Sequence, residues 1–248
     1  MAEVIIPGYN VIVHHHTGFQ MVQEFNRAFE VERFKVGFYE NDPYVRREDV
    51  FAQNMKLVKF RYSLICEEVF ELSHAIETDN FTEVRDALAD IAYVVYGMCD
   101  CLNINADDPK DFAVSTHCNL MLKLCAFTEA NFVIREAINA CDFEKLKSGL
   151  ALLLTIVKSL SIRLGIDHDT DFKTVHESNM SKLCDSLSQA EETVNDYINK
   201  YSSGNSEYDK PYYTYLPDIR KWMVKNGGDG PKAGKVLKNK YYKSVKFD

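Results

Sequence analysis

The run Arg61-Tyr62-Ser63-Leu64-Ile65-Cys66-Glu67-Glu68-Val69-Phe70-Glu71-Leu72, followed by Asp86-Ala87-Leu88-Ala89-Asp90-Ile91-Ala92-Tyr93-Val94-Val95-Tyr96-Gly97, decides how this chain is read. Both stretches are strongly apolar, yet both carry acids. Apolar residues recur at helical spacing through the first (Leu57, Leu64, Val69, Leu72, Ile76) and the second (Val84, Leu88, Ile91, Val95, Met98, Leu102). Asp79-Asn80 is a helix stop between them, and the turn formers from Asn103 to Pro109 are another. Phe19, Val22, Phe25 and Phe29 repeat the rhythm upstream. The spacing therefore predicts an all-α helical bundle over residues 19–201. Residues 1–18 form an N-terminal extended segment, in which Val4 to Val13, with Pro7 and Gly8, suit a short strand or an arm. From Ser202 the sequence turns to Ser, Gly, Asn, Tyr and Pro, which predicts a mobile C-terminal arm over 202–248.

The acids fall on helical faces. At about 100° per residue, Glu68 and Glu71 lie ~60° apart, and Glu67 and Glu71, like Asp86 and Asp90, ~40° apart. Two antiparallel neighbours would point four or five carboxylates into one volume. Such crowding is repulsive unless cations neutralise it, and hard oxygen ligands suit Mg²⁺ or Mn²⁺, ions that bind polyphosphates. Glu68, Glu71, Asp86 and Asp90 are the candidate metal ligands, with Glu67 weaker. Asp90 is the hardest to read as surface, because the apolar run from Ile91 to Tyr96 must be largely buried and a lone buried aspartate is costly. Glu83 reads as a surface acid.

Composition bounds the function. With 46% hydrophobic and 27% charged residues, the 248-residue chain is neither disordered nor fibrous, and its net charge of −8 argues against a nucleic-acid polymer as partner. The charge is unevenly spread: ten Lys/Arg against three acids in 210–248 give that segment +7 and leave −15 on the body. The seven cysteines are odd in number and include no CxxC pair, which reads as thiols in a reducing, cytoplasmic setting, and no apolar stretch suits a membrane span. His14-His15-His16 reads as a solvent-facing loop, and Cys99-x-Cys101 is poor zinc geometry on a helix.

The chain also echoes itself. Phe81-Thr82-Glu83-Val84-Arg85-Asp86-Ala87-Leu88-Ala89 returns 62 residues later as Phe143-Glu144-Lys145-Leu146-Lys147-Ser148-Gly149-Leu150-Ala151, and His117 to Cys125 resembles His176 to Cys184. The expectation is a degenerate tandem duplication, with an active copy over about 55–125 and a decayed copy over about 126–184. Glu68, Glu71, Asp86 and Asp90 become Ala130, Val133, Ser148 and Leu152, as if a redundant metal site had decayed into core.

Glu67-Glu68-x-x-Glu71 with the Asp86/Asp90 helix resembles the MazG-like all-α nucleoside triphosphate pyrophosphohydrolases, a superfamily that includes dimeric dUTPases and phosphoribosyl-ATP pyrophosphohydrolases. The family pattern is EExxE, a spacer, then ExxD. Here Ala87 stands three before Asp90, so either Asp86 with Asp90 or Glu83-x-x-Asp86 fills the second pair. Met21 to Phe29, Val175 to Leu183 (with Ser178-Asn179-Met180-Ser181-Lys182), Gly234 to Lys238 and Tyr241-Tyr242-Lys243 also resemble members of one branch.

The resemblance implies Mg²⁺-dependent hydrolysis of a nucleoside triphosphate to monophosphate and pyrophosphate, by water attack on the α-phosphorus. It assigns Glu67 to the water, Lys182 and Asn179 to the phosphates, and Lys235, Lys238 and Tyr241 to an arm closing over the substrate. Phe25 and Asn26 would offer stacking and an amide to the base. The other readings are a dUTP/dUDP-specific enzyme of the dimeric dUTPase type, or a catalytically inactive nucleotide-binding scaffold; pairing into a homodimer stays open.

Overall fold

The computed structural model describes residues 17–33, 51, 54–107, 120–204, 207–229 and 232–247. The expected strand at Val4 to Val13, the loop at His14 to His16 and the start of the His117 repeat lie outside them. Seven helices are described: α1 (Gly18–Ala28), α2 (Met55–Glu77), α3 (Phe81–Cys101), α4 (Leu120–Ala140), α5 (Phe143–Leu164), α6 (His168–Met180) and α7 (Leu187–Ser202). The architecture is all-α, with one two-stranded hairpin, β1 (Pro211–Leu216) and β2 (Lys221–Asn226).

Local chemistry sets the helix starts. Thr17 and Gln20 form a reciprocal capping box on α1, and the side chains of Asn80, Asp142, Asp167 and Ser186 accept from the third backbone N–H of α3, α5, α6 and α7. The helices pack as two hairpins, α2 on α3 and α4 on α5, joined through α3–α5 and α2–α4 contacts, while α1 and α6 lie across α3. Leu88, Ile91, Met98, Ile134, Leu146, Leu153 and Leu160 are fully buried where the hairpins meet. No single helix among the described residues is long and apolar enough to cross a membrane.

The two hairpins share landmarks at the 62-residue offset. Asp79 and Cys141 both take positive φ just before an N-cap, and the Asn80 and Asp142 amides donate to the Ala75 and Ala137 carbonyls. Asn103 and Gly165 both take positive φ beyond the helix end, and the Ile104 and Ile166 amides donate to the Cys99 and Ser161 carbonyls. A duplicated unit would leave these marks, and two well-capped helical hairpins of equal length would share them too. The decayed acid positions did not all become core: Ala130 is buried, but Ser148 is exposed and so is Leu152, at 37%.

The segment from 202 onward departs from the expected mobile arm. Tyr212, Tyr213 and Tyr215 are exposed on β1, which pairs antiparallel with β2 in the register Tyr213↔Val224. Leu216, Met223, Val224 and Leu237 are buried against α1, α7 and the end of α6. The glycines and prolines that suggested mobility make turns: a Cβ on Gly227 would stand 2.5 Å from the Lys210 carbonyl oxygen. Buried Asn239 then ties the last segment down by donating to the Ser181 and Leu183 carbonyls.

Candidate active site

Helices α2 and α3 run antiparallel and meet level by level. Glu71 faces Asp86, raising its pKa; Glu68 faces Asp90; and a Cβ on Gly97 would lie 3.4 Å from the Arg61 guanidinium. Arg61 and Glu68, like Gly97 and Asp90, are separated by two helical turns, about 10 Å on the same face. Helix α1 adds Val22, Phe25 and Asn26, and α6 with the residues just after it adds Asn179 and Lys182. Together they line a pocket of about 290 Å³.

One end of this pocket is acidic. Burial, then Glu71, Glu67 and Asp86, push Glu68 up to about 7. Burial and the charges of Glu68 and Asp86 raise Asp90 well above the usual carboxylate range, with Lys182 opposing. Asp86 is also raised, by burial, then Glu83 and Glu71, and its Oδ1 is buried without a hydrogen-bond partner. Among the described residues no three of these groups converge as a ready-made coordination cluster. Mutually repelling oxygen donors with an orphaned Oδ1 nevertheless form a donor set that fits a hard divalent cation once side-chain rotamers bring them together. Glu67 is exposed, next to Glu68 in the chain and close enough to raise its pKa. Glu83 is exposed, yet close enough to affect Asp86, so the choice of second acidic pair stays open.

The opposite wall is basic. Lys182 donates to Asn179 Oδ1 at 2.6 Å, and burial, then Lys238 and Lys235, depress its pKa against the pull of Asp90. Lys238 sits over the Tyr242 ring at 4.4 Å, and Tyr242 shares a 2.8 Å hydrogen bond with Ser178 on α6. Lys235 leans over Tyr208 at 5.6 Å. Tyr241 is turned away: its hydroxyl donates to Glu192 on α7 at 2.6 Å. Tyr242, not Tyr241, is the tyrosine on the site side.

The remaining wall is aromatic and amide. Phe25 stacks on Phe29 at 4.1 Å and meets Tyr93 edge-on at 5.5 Å. Tyr93 is held by His176 Nδ1 at 3.1 Å. Asn26 donates to Asp100 Oδ2 at 2.8 Å, and Arg33 holds the same carboxylate. The pocket thus gathers Glu68, Asp90, Asn179, Lys182, Phe25 and Asn26, with Glu67, Glu71, Asp86 and Lys238 around it. Arg61, Leu64, Tyr93 and Gly97 were not singled out in the sequence, although Arg61 stands two turns before Glu68 on the same stripe.

Residues 45–113, which span both acidic helices, match the profile of the phosphoribosyl-ATP pyrophosphohydrolase family. The chain belongs to the MazG-like nucleoside triphosphate pyrophosphohydrolase superfamily. A MazG-like chain is in general a pyrophosphohydrolase, and members usually use a divalent metal. This MazG-like protein is also 32% identical over 252 residues to uncharacterized protein L479 of Acanthamoeba polyphaga mimivirus, covering 93% of this chain and 94% of that one. No solved structure shows significant similarity. The family match ends at residue 113, so Asn179, Lys182 and Lys238 stand on the pocket geometry and the motif resemblance alone.

Proposed function

We propose that the protein is a Mg²⁺-dependent nucleoside triphosphate pyrophosphohydrolase that converts a (d)NTP to the (d)NMP and pyrophosphate. The observation that carries this reading is one pocket with the carboxylates of Glu68 and Asp90, which form no ion pair among the described residues, on one wall and Lys182 with Asn179 on the other. A triphosphate with its counter-ion is the ligand whose charges answer both walls.

Glu68, Glu71, Asp86 and Asp90 would hold the cation. When bound, it supplies neutralisation of the charge on the phosphate oxygens. Lys182 Nζ and the Asn179 amide bind the phosphates from across the pocket, and Lys238 extends the basic wall toward Asp86. Glu67, exposed beside Glu68, takes the proton of the attacking water. The water oxygen bonds to the α-phosphorus as the bond to the bridging oxygen breaks, and pyrophosphate leaves. Phe25 and Tyr93 exclude solvent from the nucleoside side.

The test is incubation with each common NTP and dNTP plus Mg²⁺ in ¹⁸O water, followed by product separation. Monophosphate carrying the label, with unlabelled pyrophosphate, is expected. No turnover with Mg²⁺ or Mn²⁺, or label in the pyrophosphate, would overturn the proposal. Glu71→Ala and Asp90→Ala should abolish turnover while leaving the melting transition cooperative.

A further inference from the structure

We infer that the end of the pocket away from the acids is a nucleobase subsite for bases presenting a carbonyl beside a ring N–H, and that Arg61 is the residue that selects them. The inference rests on the preceding proposal only for the nucleotide character of the ligand.

Arg61 is an unusual core residue. It is 9% exposed, it lines the pocket, and its Nε is buried without a hydrogen-bond partner. Among the described residues no carboxylate forms an ion pair with it; its hydrogen bond goes to the weakly polar Cys101 thiol. The other buried arginine contacts in this bundle are matched, as where Arg85 grips Asp171 through two hydrogen bonds of 2.6 and 2.8 Å. A guanidinium left this way in an interior is strongly unfavourable unless a ligand supplies acceptors.

Its position suits a base. Arg61 lies about 10 Å along α2 from Glu68, roughly the separation of a nucleotide's base edge from its α-phosphate. Gly97 stands beside the guanidinium, where a Cβ would come into van der Waals contact with Nη1 at 3.4 Å.

The chemistry selects among bases. A guanidinium only donates, so it matches carbonyl oxygens and repels exocyclic amines. Asn26, also in the pocket, has its amide orientation fixed by donating Nδ2 to Asp100, and Oδ1 is the acceptor it offers. A donor beside an acceptor complements the carbonyl and adjacent ring N–H of uracil, thymine and guanine. Cytosine and adenine present the reverse order, an amine beside a bare ring nitrogen, so in the same seat the amine meets the guanidinium, and only a base shifted by one ring atom would bring a bare nitrogen onto Arg61.

The experiment measures dissociation constants of UMP, dTMP, GMP, CMP and AMP by calorimetry with Mg²⁺ present, together with kcat/KM for the matching triphosphates. The three carbonyl-bearing nucleotides should bind about tenfold or more tighter than CMP and AMP. Equal binding of CMP or AMP overturns the inference. Discrimination in binding without turnover would sink the hydrolase proposal and leave this one standing; turnover of all five without discrimination does the converse. Arg61→Met should melt at or above the wild-type temperature in the absence of nucleotide and lose the discrimination. Retained discrimination in Arg61→Met, or in Arg61→Leu if the methionine variant does not fold, refutes the role of Arg61.

Discussion

Replacing Glu68 with glutamine should stabilise the metal-free protein at alkaline pH while destroying its response to Mg²⁺. Glu68 is pushed from its ordinary 4.5 to about 7 by burial and by Glu71, Glu67 and Asp86. The folded state therefore holds a proton that the unfolded state releases, so stability falls as pH rises from 4.5 and the loss is complete above 7. At about 1.4 kcal/mol per pH unit the full rise corresponds to ~3.4 kcal/mol. Glu68 is partly open to solvent, and screening trims this to about 2 kcal/mol. Glutamine keeps the shape without the charge. In urea titrations with EDTA, Glu68→Gln should match the wild type near pH 5 and exceed it by about 2 kcal/mol at pH 8, or roughly 4–8 °C in melting temperature for a chain of this size. Added Mg²⁺ should raise the midpoint of the wild type and leave the variant unmoved. A variant no more stable than wild type at pH 8 in EDTA would show that the carboxylates do not crowd one another, and the metal-site reasoning would fail with it.

Asp171→Ala removes the carboxylate that Arg85 grips between α3 and α6, with Asp171 1% exposed; a loss of about 3–5 kcal/mol is expected in chemical denaturation, and a loss below 1 would show that the pair does not hold α6. His168 is half-buried at the start of α6, with its Nδ1 buried and without a hydrogen-bond partner among the described residues, and its pKa is held below 6.5 chiefly by desolvation. Protonation thus favours the unfolded chain, so wild-type stability should drop as pH falls below 6.5, and His168→Gln should show a smaller drop between pH 8 and 5; parallel profiles would refute this. Gly149→Ala would place a Cβ 2.7 Å from Ile134 Cγ1 where α4 meets α5. Overpacking of ~1–3 kcal/mol should outweigh the gain in helix propensity, and a stabilised variant would mean the two helices pack less closely.

How far the site could be read from sequence depended on the range of the physics involved. Glu68, Glu71, Asp86 and Asp90 were legible because two local periodicities put acids on otherwise apolar stripes, and a helical hairpin closed by Asp79-Asn80 has one way to bring those stripes together. Arg61 lies on the same stripe and went unread, because an arginine at a helix surface is the common case and only the tertiary approach of Gly97 and α1 makes it buried. The C-terminal segment was misread for a related reason. Local composition reports the cost of ordering Gly227, Pro211 and the serines, but not the compensating burial of Met223, Val224 and Leu237 against residues distant in the chain. Tyr241 and Tyr242 were indistinguishable in sequence, since which one faces the pocket depends on the turn that Asn239 makes.

Buried charge separates framework from site in this bundle. Arg85 with Asp171, and Arg33 with Asp100, are matched within the chain, so these charges hold the fold together and ask nothing of a ligand. Among the described residues Glu68 and Asp90 form no ion pair, Lys182 is crowded by Lys238 and Lys235, and Arg61 meets no carboxylate, all around one pocket. If these were simply badly placed structural charges, replacing each by an apolar or neutral isostere would stabilise the chain and leave binding unaffected. If they are complementary to one ligand, the same replacements would stabilise the chain and abolish binding, each at its own end: cation at Glu68 and Asp90, phosphate at Lys182, base at Arg61. The order of those ends along α2 and α3, acids at one and arginine at the other about 10 Å apart, is that of a nucleotide laid lengthwise between the two helices.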